Sequence, residues 1–297
     1  MRNERSYAYA TAQNVRSLED CFWYHSMDLP RFGPVTGHWD LRGRFDDYVG
    51  CVPLSGRTVL DVGTASGFLS FEAEKRGAIV TGFDADDVSR YQYIPPNQPG
   101  KIHPLAGSLD FFPMMRNGYW LAHSAYKSDA KVIYGDVYRL SELVPAHDVV
   151  AIGLILVHLR DPLEALHQAS LVAKDTLIVT DCSFHSHGGL TARFLGNKEN
   201  FYSWWQISDE LYRRWLALLG FEVVSVTQNK FICTLWTDPA ELWTFVARRS
   251  SKPDEVYERI ERERIERERE WATRGKYIEF FAQQRRRILR AILSHRS

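Results

Sequence analysis

From Val59 to about Ala247 the chain alternates short apolar, β-branched runs with stretches whose apolar residues recur at helical spacing. That alternation predicts an α/β domain, a mainly parallel sheet wound with helices on both faces. Seven runs read as strands: Thr58–Val62, Ile79–Phe83, Lys131–Tyr134, Asp148–Leu156, Thr176–Thr180, Glu222–Thr227 and Leu242–Ala247. Helices are predicted at Phe68–Arg76, Pro162–Ala173 and Asp209–Leu219, the last with Ser208 as N-cap and Gly220 as its stop.

Three regions follow from the same pattern. Residues 1–50 form a leader, residues 51–249 the core, and residues 250–297 a charged helical extension. The core carries an insertion over residues 85–130 that is longer than a crossover needs and opens with Pro95-Pro96-Asn97-Gln98-Pro99-Gly100. Its second half, Met114 to Tyr126, reads as a helix whose Tyr119, Trp120 and Tyr126 pack into a core. The leader's Phe22-Trp23-Tyr24-His25 and Gly37-His38-Trp39-Asp40-Leu41-Arg42 suit two placements, over a ligand crevice or along the sheet edge. In the extension, Glu258 with Arg262 and Glu263 with Arg267 are favourable i,i+4 pairs on a solvated helix. Beyond them, Tyr277, Ile278, Phe280, Phe281, Ile288, Leu289, Ile292 and Leu293 make an apolar stripe that has to dock on the domain or on a second copy. The basic run Arg285-Arg286-Arg287 reads as a solvated helix end in preference to a nucleic-acid contact.

Charge narrows the partners. The 297 residues hold 37 Lys plus Arg against 37 Asp plus Glu, which argues against an electrostatic nucleic-acid binder. Cys21, Cys51, Cys182 and Cys233 are scattered without metal-ligand spacing, so no metal and a reducing, cytoplasmic setting are expected. The polar start lacks an export signal, and the longest apolar run, Val149 to Val157, falls well short of the roughly 20 residues a membrane helix needs.

The chemistry concentrates where the first strand runs into Gly63-Thr64-Ala65-Ser66-Gly67 and the second ends at Asp84. A glycine turn between strand and helix, followed by an acid-tipped strand, builds an adenosine nucleoside site. Gly67 is followed by Phe68-Leu69 and not by Lys and Ser or Thr, which disfavours ATP. Ala65 and the different spacing break the Gly-x-Gly-x-x-Gly of a dinucleotide site. Asp61, two residues before the first glycine, repels a pyrophosphate and welcomes a cationic amino-acid group, which points to S-adenosylmethionine.

Asp61, Gly63 and Gly67 match Asp/Glu-x-Gly-x-x-x-Gly, and here the chain resembles the class I S-adenosylmethionine-dependent methyltransferases. The resemblance implies a Rossmann-like, doubly wound, seven-stranded sheet, mostly parallel with an antiparallel last strand. It implies that Asp61, Gly63, Thr64 and Gly67 hold the methionine part and that Asp84 accepts from both ribose hydroxyls. Tyr134-Gly135-Asp136-Val137 is similar to the adenine-contacting element, with Asp136 accepting from the exocyclic amine and Val137 beside it. A narrower resemblance, to the tRNA wobble-uridine carboxymethyltransferases and their relatives, lies in Gly153-Leu154-Ile155-Leu156-Val157-His158-Leu159-Arg160-Asp161-Pro162-Leu163-Glu164-Ala165-Leu166, with Phe68–Glu72 and Lys75–Ala78. It implies that Trp39, with Arg42 or Arg44, helps to hold the cofactor. The tyrosine that reads a carboxylated cofactor in that family falls at Val157, which has no hydroxyl, so the plain cofactor is expected.

The expected function is therefore methyl transfer to an O or N atom of a small molecule, as in secondary metabolism, with a tRNA wobble base as the runner-up acceptor. In-line displacement from a sulfonium needs positioning first and a base only for a protonated acceptor. His158, just past the fourth strand, is the candidate base, against the alternative that it packs or hydrogen-bonds locally. His185 and His187 follow the fifth strand. In the same loop, Tyr202, Trp204 and Trp205 line an acceptor pocket or form the seam between loop and leader. Self-association through the terminal helix is the expected oligomeric route.

Overall fold

A computed structural model describes residues 6–92, 111–197, 200 and 202–294, with side chains described as far as Arg274. In chain order the strands are β1 (Met27–Leu29), β2 (Gly33–Val35), β3 (Trp39–Asp40), β4 (Thr58–Val62), β5 (Ile79–Asp84), β6 (Lys131–Tyr134), β7 (His147–Gly153), β8 (Ala173–Asp181), β9 (Ser183–Phe184), β10 (Ala192–Phe194), β11 (Trp205–Ser208), β12 (Phe221–Cys233) and β13 (Ala240–Arg249). The main sheet runs β3-β12-β13-β8-β7-β4-β5-β6. Its β8-β7-β4-β5-β6 half is parallel throughout, and β13 runs antiparallel to both β8 and β12. The fold is the Rossmann-like, doubly wound sheet that the sequence pattern predicts.

Alternation along the central strands divides their side chains between two cores. Val59, Val149 and Ile178 face one core, with Phe68 and Phe71 of the Phe68–Lys75 helix and Tyr119 of the Phe111–Tyr126 helix. Leu60, Val62, Val150, Ile152, Leu177 and Val179 face the other, with Leu166 of the Pro162–Val172 helix and Tyr212 of the Asp209–Leu218 helix. Burial on both faces is why these strands read as unbroken apolar runs.

Three differences from the pattern have physical causes. The run predicted as one strand to Leu156 stops at Gly153, because Leu154 turns left-handed (φ 54°) and its N–H goes to the carbonyl of Thr180 at 2.8 Å. The sheet gains an eighth strand, β3, whose two residues pair with Ile232 and Cys233 and are too few to show periodicity. The loop after β8 folds into a small sheet, β10-β11-β9, which short alternating polar segments did not announce.

Both placements of the leader occur. Phe22 N–H reaches the carbonyl of Met114 at 2.9 Å and His25 N–H reaches Ser66 Oγ at 3.2 Å, so the chain crosses the glycine turn. It then joins the sheet edge as β3. The insertion helix, Phe111–Tyr126, buries Tyr119 and Trp120 as expected, while the Pro95–Gly100 turn lies outside the described residues.

The extension is one helix, Pro253–Ser294. Ser208 Oγ accepts from Leu211 N–H at the head of the Asp209–Leu218 helix, against which the extension packs Val256 and Ile260 onto Ala217. Arg267 grips the buried Glu210 at 2.6 and 2.9 Å, and Arg264 donates to the Gly188 carbonyl at 3.0 Å. The side chains of the apolar stripe from Tyr277 onward, and those of Arg285–Arg287, lie outside the described residues. No helix among the described residues is long and apolar enough to cross a membrane. Arg267→Ala leaves the Glu210 carboxylate buried without its cation. Because the arginine itself is partly exposed, the expected loss is about 1–2 kcal/mol, read from the urea midpoint.

Candidate active site

The carboxyl ends of β4, β5, β6 and β7 lie side by side, the place where open α/β sheets present ligand groups. Leaving β4, the backbone takes positive φ at Gly63 (88°), Ala65 (49°) and Gly67 (89°). Gly63 and Thr64 both donate their N–H to the carbonyl of Phe83, at 2.8 and 3.0 Å, which fastens the turn to β5. A Cβ on Gly63 would stand 2.4 Å from Ile155 Cγ2, so glycine is required there for close approach as well as for conformation. The Phe68–Lys75 helix starts at Gly67 without a side-chain cap, and the Ser70 N–H in its first turn lies by the Asp61 carboxylate.

Asp61 stands behind this turn, almost fully buried. Its Oδ2 accepts from Ser70 Oγ at 2.8 Å, and Ser70 Oγ lies 2.9 Å from Thr64 Oγ1. Its Oδ1 is buried with no hydrogen-bond partner among the described residues. Burial pushes this carboxyl up to about 6 against the opposing pull of the Ser70 and Thr64 hydroxyls. A buried acceptor oxygen with no donor among the described residues suits a ligand that carries a cationic amino group.

Asp84 ends β5 and closes the turn from the other side. Its Oδ2 accepts from Ala65 N–H and its Oδ1 from Ala85 N–H, each at 2.7 Å. Each oxygen keeps further lone-pair capacity, which matches a vicinal diol. Burial raises this carboxyl's pKa, and the two backbone N–H groups and Arg116 oppose the rise.

Asp136 is placed differently. Its Oδ1 accepts from Tyr138 N–H at 3.0 Å as the N-cap of the Val137–Arg139 turn, and its Oδ2 pairs with Arg90 at 2.9 Å. Val137 opens that turn and packs against the second core. Trp39 lies on the outermost strand, with four strands between it and β4, and its ring is edge-on to Trp236 at 5.6 Å. Asp61 is thus joined to Thr64 through Ser70, Gly67 N–H donates to the Thr64 carbonyl at 2.8 Å, and Asp84 is joined to the same turn through Ala65 N–H. Asp136 pairs with Arg90, which also pairs with Asp86 at 2.9 Å, and the preceding Gly135 N–H donates to the Asp84 carbonyl at 2.9 Å.

On the acceptor side, His158 Nδ1 lies 2.7 Å from the carbonyl of Tyr202. A carbonyl only accepts, so Nδ1 carries the proton and Nε2 holds the free lone pair. Burial lowers the pKa of His158 and favours this neutral form. The indole N–H of Trp204 goes to the carbonyl of Gln92 at 3.1 Å and that of Trp205 to the carbonyl of Arg160 at 3.2 Å. Trp204 is buried, so this loop forms a seam that ties β7 to the segment after β5. Tyr202 is exposed. His185 donates from Nδ1 to Asp209 Oδ2 at 2.5 Å and sits edge-on to Trp243 at 4.6 Å. His187 stacks between His185 and Trp271 of the terminal helix.

Sequence reading passed over several residues here. Gln92 accepts from the N–H of Arg160 at 2.6 Å and from the hydroxyl of Tyr138 at 3.1 Å, bridging the ends of β6 and β7. Asp181 tips β8 as Asp61 and Asp84 tip their strands, and its position at a strand end is the signal that would have found it. It accepts from the Tyr212 hydroxyl at 2.6 Å and from Cys182 N–H at 2.7 Å, and burial pushes it up to about 7. The cavity of ≈ 430 Å³ beside Gln13, Asn14, Trp120 and Lys127 lies by the insertion helix, away from these strand ends.

The buried acid has a thermodynamic consequence. Asp181 keeps its proton in the folded chain between the unfolded value near 3.8 and about 7, so its contribution to stability declines as pH rises through that window. The buried histidines His25 and His147, lowered by desolvation to about 3 and about 4, act in the opposite direction over part of the same range. The difference between variants isolates the acid. Asp181→Asn is expected to gain stability relative to the parent from pH 4 to pH 7 and to show a level difference outside it, in urea titrations at stepped pH.

No family model matches the chain, and no curated protein matches it. Among solved structures it is similar to magnesium protoporphyrin IX methyltransferase from Synechocystis PCC 6803 with bound S-adenosylhomocysteine, at 18% identity over 71% of this chain and 82% of that one, with a TM-score of 0.47. It is also similar to 1,6-didemethyltoxoflavin-N1-methyltransferase from Burkholderia thailandensis, at 15% identity over 71% and 78%, TM-score 0.44. A third is an O-methyltransferase family protein from Burkholderia thailandensis, at 12% identity over 71% and 56%, TM-score 0.48. Likeness at this level does not carry an activity from one chain to another.

Proposed function

We propose that the chain is an S-adenosylmethionine-dependent methyltransferase that acts on an O or N atom of a small molecule. The observation that carries the reading is the unpartnered, buried Oδ1 of Asp61 beside a glycine turn whose backbone also holds Asp84. Asp61 and the Gly63–Gly67 turn would hold the methionine part, and Asp84 the ribose hydroxyls. Asp136 would have to serve the adenine amine while still capping its own turn, which a carboxylate with several lone pairs permits. Bound there, the cofactor supplies an electrophilic methyl group on sulfur. The chain's own part is to fix the acceptor atom behind that methyl and keep water away. With Nδ1–H committed to the Tyr202 carbonyl, Nε2 of His158 is the lone pair available to take a proton from the acceptor.

Val157 is buried and offers no donor for an additional carboxylate, which supports the plain cofactor over a carboxylated one. Balanced charge supports a small acceptor. Transfer to a tRNA wobble base is the second reading, supported by the Gly153–Leu166 sequence resemblance. Incubating the chain and methyl-tritiated S-adenosylmethionine with extract from a strain lacking the protein separates the two. Label in small organic molecules is the expected outcome, and label confined to tRNA would replace the first reading with the second.

A further inference from the structure

The insertion between β5 and β6 carries an arginine whose contacts centre on the backbone just past Asp84. Nη2 of Arg116 donates to the carbonyl of Ala85 at 2.7 Å and to that of Asp86 at 2.6 Å. Its guanidinium lies over the ring of Tyr134 at 4.1 Å and over that of Phe112 at 4.5 Å. Ala85 is therefore held from two directions, its N–H by the Asp84 carboxylate at 2.7 Å and its carbonyl by Arg116. Past this point the chain is exposed at Asp86 and Asp87 and is tied down again through Arg90 and Gln92. Arg116 also keeps an Nε–H that is buried without a partner among the described residues.

We propose that Arg116 is a positioning residue that presents the Asp84 carboxylate to the ribose of the nucleoside cofactor, an inference that rests on the methyl-transfer reading above. Both bonds leave one nitrogen, Nη2, of a planar guanidinium that stacks on an aromatic ring at the same time. A lysine can donate to two carbonyls but has no flat face to lay on the ring. Asp84 also gains a nearby positive charge that opposes its desolvation and favours the ionised form that accepts two hydroxyls. On this basis the helix that ends the insertion, Phe111–Tyr126, serves the cofactor side of the crevice through Arg116.

The test is a double-mutant cycle on the full-length chain, with S-adenosylhomocysteine as the probe and calorimetry as the readout. Arg116→Lys alone is expected to weaken binding about tenfold, within the range of couplings between contacting residues. Asp84→Asn alone weakens it further, and Arg116→Lys added to Asp84→Asn causes no additional loss, because both act through one ribose contact. A merely structural arginine gives losses that multiply, and that result overturns the inference, as does parental affinity in Arg116→Lys. Urea midpoints confirm that the variants are folded, and Arg116→Gln replaces Arg116→Lys if the latter is not. A parent chain that fails to bind the probe removes the methyl-transfer reading and this inference with it. A parent that binds while Arg116→Lys binds equally well removes this inference alone.

Discussion

Gly67→Ala is expected to destabilise the chain by about 2–4 kcal/mol, the sum of a left-handed backbone cost near 1 kcal/mol and the cost of overpacking a closed site. The conformation at this position is φ 89°, and the added Cβ would stand 2.4 Å from Phe71 Cε2 and 2.8 Å from Tyr119 Cδ2. Both rings are fully buried and pack against each other, tilted, with centroids 5.3 Å apart, so neither can withdraw without opening the core under the turn. Gly43 is the control, since it has φ 69° and nothing within 4 Å of a built Cβ. Gly43→Ala is expected to lose only about 1 kcal/mol. Urea midpoints of the two variants check the difference, and equal losses would mean that packing at Gly67 adds nothing to backbone strain.

Asp84→Asn is expected to weaken S-adenosylhomocysteine binding about a hundredfold, the loss of roughly 2.7 kcal/mol that charge-assisted hydrogen bonds to a diol supply. The carboxylate accepts on both oxygens from Ala65 and Ala85 N–H groups. An amide in its place turns an NH₂ toward one of those N–H groups and loses an acceptor on the ribose side. The turn is expected to loosen with it. Calorimetry on folded protein reads the affinity, and a loss below about threefold would show that the acid does not face the ribose.

The parts of this site that the sequence could announce are those whose geometry is local. A strand end fixes where Asp61 and Asp84 stand, and a turn that needs positive φ selects Gly63 and Gly67, so strand, turn and acid are legible within thirty residues. Asp136 shows the limit of that logic. An acid just past a strand is written the same way whether it caps the next turn or meets a ligand, and here the cap and Arg90 take one oxygen each. Arg116 and Gln92 were illegible because their partners, Ala85 and Asp86 for one, Arg160 and Trp204 for the other, are brought to them only by the folded sheet. The strand predicted over Asp148–Leu156 ran too far for a related reason, since hydrophobicity carries no mark of the left-handed turn at Leu154. Likewise the carbonyls of Gln92 and Arg160, on which the indole N–H groups of Trp204 and Trp205 end, are brought near only by the fold.

The central claim is that this glycine turn, between Asp61 and Asp84, selects a sulfonium nucleoside over a phosphorylated one. Calorimetric titration of the full-length chain with S-adenosylmethionine, S-adenosylhomocysteine, NAD and ATP at neutral pH tests it most directly. The expected result is one-to-one binding of the first two and no heat from the others. Binding of NAD or ATP without S-adenosylmethionine would contradict it.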